Sequence, residues 1–151
     1  MSLQEPPRRL AIVLWILLFL FVLRVAGQLL VALGWGSAFL PPMEEWSSGL
    51  VPYPLLLPAQ ILIVLLYGKV CLDFTRGRGF FVSPRRSLGS CLLIFGSIYL
   101  AAMLARYVVR MSLYPSERWT GGSIPIFLHW VLATFILLVG SYHRRRTLPG
   151  G

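Results

Sequence analysis

Four long apolar runs separated by short polar breaks make up most of the chain: Leu10 to Gly34, Leu55 to Leu72, Leu88 to Met111 and Ile124 to Tyr142. Each holds about 18–25 residues, the length an α-helix needs to cross a ~30 Å hydrocarbon core. Pro6 and Pro7 precede the first run, and Pro52, Pro54 and Pro58 lead into the second. Ser83-Pro84 opens the third, and Pro125 sits in the first turn of the fourth. Proline is tolerated at a helix start, where its missing N–H would have no intrahelical partner, and serine is a good cap. The first run is longer than the ~7–15-residue apolar core of a signal peptide, so it is read as an uncleaved span. The pattern predicts an all-α fold, an integral membrane four-helix bundle forming a single transmembrane domain over residues 1–151.

Composition agrees with this reading. The chain is 57% hydrophobic, with mean hydropathy +0.76. A small soluble domain buries only about two-thirds of its surface and could not hide this much apolar area. The net charge of +9 arises from 14 Lys+Arg against 5 Asp+Glu, and the basic residues fall in the breaks between runs. Arg8, Arg9, Arg76, Arg78, Arg85, Arg86, Arg144, Arg145 and Arg146 all map to one side, and the positive-inside rule places that side, with both termini, in the cytoplasm. No basic helix or stacking motif accompanies the charge, so nucleic acid is not an expected partner. Lys69 is the sole lysine, and this arginine bias points to a GC-rich bacterial genome and a bacterial cytoplasmic (inner) membrane.

The two outer breaks resemble each other. Residues 42–52 (PMEEWSSGLVP) and 115–125 (PSERWTGGSIP) align without a gap, matching Glu44 with Glu117, Trp46 with Trp119 and Gly49 with Gly122. Proline starts a short helix, glutamate sits where the helix dipole favours an anion, and tryptophan anchors at the membrane–water interface. The match predicts two parallel span–short helix–span repeats, about 1–75 and 76–151, related by a pseudo-twofold axis along the membrane normal.

Ionisable and amide groups within spans are costly and mark candidate sites. Arg24, Gln28, Gln60, Arg106, Arg110 and His129 all fall in the outer half, below Glu44 and Glu117. They form either a structural cluster that pins the loops or a pocket for a small anionic or amphipathic ligand such as a lipid headgroup or quinone. Arg24 and Arg106 are expected to face the bundle interior, with at least one contacting Glu44 or Glu117. Trp46 and Trp119 are the expected interface anchors. On the other side, Arg76, Arg78, Arg85 and Arg86 are expected to contact anionic lipid headgroups.

Other chemistry finds little support. Cys71 and Cys91 form no Cys-x-x-Cys motif and are read as reduced core residues. His129 is the sole histidine well inside a span, which disfavours an intramolecular bis-histidine haem, and neither a metal nor any other cofactor is expected. Ser97, Ala101 and Ala105, four residues apart, allow a close helix contact, within the bundle in the first place or else with a partner.

The stretch Arg76-Gly-Arg-Gly-Phe-Phe, followed by Arg85-Arg-Ser-Leu and a third span, resembles a family of small uncharacterised bacterial four-helix membrane proteins. In that family a basic Arg-Gly-x-x-Phe loop joins spans two and three. The resemblance implies an architecture and no catalytic residues. Three functions fit: an accessory or assembly subunit contacting lipid, a homo-oligomer or a larger membrane complex; a ligand binder or transporter; and a membrane enzyme acting on a lipid or quinone. The absence of any catalytic motif favours the first.

Orientation is directly testable. Cysteines introduced at Ser48 and Gly121 should react with a membrane-impermeant thiol reagent on intact cells, and cysteines at Arg78 and Thr147 should not. Labelling at Thr147 would reverse the assignment.

Overall fold

A computed structural model describes residues 7–35, 52–115 and 123–147. The outer-break residues Glu44, Trp46, Glu117 and Trp119, and with them the expected short interfacial helices, lie outside the described residues. The chain is all-helical there: α1 (Arg8–Ala32), α2 (Tyr53–Arg76), α3 (Arg86–Leu113) and α4 (Ser123–Arg146). All four helices are long and apolar enough to cross a membrane.

The helices and the apolar runs do not share endpoints. α2, α3 and α4 continue into flanking arginines, because only the hydrocarbon-facing part of a span must be apolar and long basic side chains can reach outward. α1 stops at Ala32, two residues before Gly34, which takes a left-handed φ of 76°. α2 ends at Gly77, whose φ of 65° is the left-handed conformation that closes many helices.

α4 is the centre of the bundle. Of its apolar stretch 56% is buried, against 22%, 17% and 11% for α1, α2 and α3. α1 presents Ala11, Leu14, Leu18 and Phe21 on one helical stripe, and α2 presents Tyr67, Val70, Cys71 and Phe74. Both pack on Leu128, Leu132, Phe135, Val139 and Tyr142 of α4. The Tyr67 ring stacks on Phe135 with centroids 3.9 Å apart, and its hydroxyl donates to the Leu132 carbonyl at 3.3 Å.

α3 joins differently. Its buried residues are Gly89 and Gly96. A Cβ at Gly89 would lie 2.9 Å from the Arg144 backbone nitrogen and 3.1 Å from the Gly140 carbonyl oxygen; one at Gly140 would lie 3.0 Å from the Leu92 Cβ. The two backbones therefore approach as closely as helices lacking side chains allow, which is how spans gain packing where no hydrophobic force draws them together. Ser97, Ala101 and Ala105 are all exposed, which corrects the internal contact expected of them and leaves the partner alternative standing. The glycines occupy α3's inner face and that stripe points away. Cys91 is likewise exposed rather than in the core, while Cys71 is buried.

The α2–α3 connection is held from both sides. Asp73, buried in α2, pairs with Lys69 one turn earlier and accepts the Phe81 N–H at 3.4 Å. Gly79 has φ 130°, and a Cβ there would collide with the Asp73 carboxylate. From α4, the Tyr142 hydroxyl donates to the Val82 carbonyl at 3.0 Å, and His143 Nδ1 accepts the Arg85 N–H at 3.3 Å.

Gly89→Ala should lower unfolding stability in detergent by ~1–3 kcal/mol, the usual cost of overpacking, because the atoms it meets are backbone. Ala101→Leu, on the exposed stripe, should melt like wild type. Equal melting of the two variants would show that the α3–α4 approach does not support the fold.

Candidate functional site

Three features stand out: a polar cluster at one end of the bundle, an apolar groove between α2 and α3, and a rim of arginines at the other end.

The polar cluster continues the buried stripes of α1 and α2. Gln28 lies on α1's stripe beyond Phe21 and is fully buried; Gln60 lies on α2's stripe before Tyr67 and is also buried. Gln60 Nε2 donates to Gln28 Oε1 at 3.0 Å, and Arg24 donates to the same oxygen from one turn earlier on α1. Arg24 stands 16 residues into α1, or ~24 Å along the helix axis, where a cation is costly unless paired. The Gln28 carbonyl therefore serves a cation and an amide at once. Among the described residues, Gln28 Nε2, Gln60 Oε1 and the Tyr53 hydroxyl are buried without a hydrogen-bond partner.

His129 belongs to the α3–α4 side. Its Nδ1 is hydrogen-bonded to the Tyr99 hydroxyl, and the rings meet edge to face with centroids 5.7 Å apart. Arg106 and Arg24 are both within electrostatic reach of it. Arg110 lies in the last turn of α3, its guanidinium 6.0 Å from the Tyr114 ring. Arg24 and Arg106 are half-buried. The expected partners Glu44 and Glu117 lie outside the described residues.

The groove opens where α2 and α3 do not touch. Leu66 and Val70 of α2 form one wall, Leu88, Leu92 and Tyr99 of α3 form the other, and Phe135 of α4 lies at its floor. Its volume is ≈ 390 Å³. It begins beside Arg86 and runs eleven residues along α3, ~16 Å. That matches one leaflet of a ~30 Å hydrocarbon core.

The arginine rim gathers because neighbouring helices run antiparallel. Trp15 near the start of α1 meets Thr75 near the end of α2, and Arg85 before α3 meets His143 near the end of α4. Arg76, Arg78, Arg85 and Arg86 are all exposed there, and Arg85 lies 4.0 Å over the Phe80 ring.

No family model, curated protein or solved structure matches the chain.

Among the described residues, no group of three or more His, Cys, Asp and Glu side chains could hold a metal ion. Sequence reasoning missed the tyrosines. Tyr99 holds His129, Tyr67 anchors α2, and Tyr53 stands beside Arg24. The available signal was a phenolic hydroxyl inside an apolar run, a group that needs a hydrogen-bond partner when buried.

Gln28→Leu removes the acceptor shared by Arg24 and Gln60 and should destabilise the protein by ~1–3 kcal/mol, the cost of stranding buried donors. Adding Gln60→Leu should recover part of that loss. Strictly additive losses in the double variant would show that the two amides do not act as a pair.

Proposed function

We propose that this is a non-enzymatic, multi-pass accessory protein of the bacterial inner membrane that works by binding phospholipid from the cytoplasmic leaflet. The observation that carries this reading is the α2–α3 groove. It is apolar, one leaflet long, and bordered by exposed arginines at its polar end. A single acyl chain fits that length, and the neighbouring cations suit an anionic headgroup. The orientation, with both termini cytoplasmic, rests on the same arginines and the positive-inside rule.

The matched outer breaks support a further reading, that the two halves arose by duplication and share a twofold plan. α2 and α4 would be equivalent in that plan yet differ in burial, 17% against 56%, so any duplicated halves have since diverged in packing.

A second function rests on a different observation. The unfilled hydrogen-bonding positions of Gln28 and Gln60 among the described residues, beside Arg24 and within reach of His129, would suit a ligand carrying both donors and acceptors, entering from the outer side.

Native mass spectrometry of the protein extracted in mild detergent tests the main reading. Wild type should retain phospholipid. Leu66→Trp, at the exposed lip of the groove, should reduce the occupancy of one bound phospholipid about tenfold, equivalent to ~1.4 kcal/mol, and leave any lipid bound elsewhere in place. Folded wild-type protein free of phospholipid would overturn the proposal.

A further inference from the structure

The basic end holds a second cavity, on the opposite side of α2. There the first turns of α1 and the last turn of α2 diverge around a space of ≈ 320 Å³. Arg8 stands on one wall and Arg76 on the other, with Gly77 beside Arg76. α2 ends at this point because Gly77 turns left-handed, so Arg76 is held at the rim by the helix terminus itself. Both arginines are exposed, and among the described residues neither takes part in an ion pair.

Aromatic side chains complete the cavity wall. Trp15 and Phe74 line it, and the Trp15 indole N–H donates to Thr75 Oγ1 at 2.9 Å. The Thr75 hydroxyl donates in turn to the Cys71 carbonyl at 2.8 Å. That chain of bonds orients the hydroxyl and fixes the indole across the α1–α2 junction. Trp15 lies seven residues into α1, ~10 Å from its start, about where an interfacial tryptophan sits. Two cations, neither with an ionic partner among the described residues, therefore stand beside aromatic side chains at the membrane boundary.

We infer that this cleft binds one phosphate ester, that of an anionic phospholipid headgroup, with Arg8 and Arg76 sharing the phosphate and Trp15 and Phe74 receiving the adjoining glycerol and first methylenes. Arginine suits this role because its planar fork offers paired donors to phosphate oxygens. Basic cavities between spans at the cytoplasmic face recognise acidic lipid headgroups by the same chemistry. The site does not depend on the α2–α3 groove, since the two share no lining residue.

The test is retention of phosphatidylglycerol against phosphatidylcholine, offered as an equimolar mixture to the delipidated full-length protein and read by native mass spectrometry. Wild type should prefer phosphatidylglycerol. Arg8→Gln and Arg76→Gln should each weaken that preference about fivefold, in line with the contribution of one cation near an acidic lipid. Arg8→Lys should retain part of it. Leu66→Trp should leave the preference unchanged, so a failure of the groove proposal is separable from a failure of this one. Arg145→Gln removes the same charge from an exposed position that does not line the cleft. If it weakens the preference as much as Arg8→Gln does, the effect is general surface charge and the site is refuted. If inorganic phosphate or glycerol 3-phosphate competes as well as the lipid, the cleft serves a soluble phosphate and the lipid assignment fails.

Discussion

The backbone approach of α3 to α4 at Gly89, Gly96 and Gly140 governs the shape of this bundle. Helices in hydrocarbon gain nothing from merely leaving lipid, so they associate where close packing or polar contacts reward it. The closest packing α3 offers is its glycine face, and α4 meets it. Once α3 is committed to that contact it cannot also cover α2. α2 is held on α4 by the Tyr67–Phe135 stack and by the Tyr67 hydroxyl on the Leu132 carbonyl. The gap left between α2 and α3 is the groove. Its apolar lining, leaflet length and position beside the arginines follow from where those two attachments lie on α4.

Polar contacts make up a second layer, some near the basic end and others, such as Tyr99–His129, well inside the spans. α1 and α2 are clasped twice: by Trp15–Thr75 at the basic end and by Arg24–Gln28–Gln60 at the other. α3 and α4 are clasped by Arg85–His143 and Tyr99–His129. Each clasp joins antiparallel neighbours. The α2–α3 connection is instead drawn inward by Asp73 and Tyr142, which anchor the loop without bringing its flanking helices together. The proposed lipid sites lie where clasps are missing or where two helices splay beyond one.

Individual residues show why the candidate site was only partly legible. Gln28 and Gln60 stood out because an amide in a long apolar run is costly anywhere, and that cost does not depend on the fold. Their pairing was not legible, because it needs the rotation of α1 against α2. Ser97, Ala101 and Ala105 misled for a related reason. Four-residue spacing of small side chains says that a helix face permits close contact, and says nothing about whether another helix lies there. Gly89 and Gly96, seven residues apart, offered an equally good face, and the position of Gly140 on α4 decided between them. Cys71 and Cys91 look alike in sequence, yet only Cys71 is buried.

What the sequence determined by itself is what the solvent imposes. Run length against bilayer thickness gives four helices, and hydrogen bonding inside hydrocarbon requires them to be helices. Helical continuity then brings Arg24 and Gln28 onto one face, because residues four apart are neighbours on any α-helix. The tertiary structure alone decided that α4 is the hub, that α3 docks through glycine, that His129 binds Tyr99, and that the basic end carries two separate cavities. The reason is that all four helices are apolar on nearly every side. With no single greasy stripe to announce a core face, the choice of inner surface rests on ångström-scale fit between helices, and hydropathy carries no record of that fit.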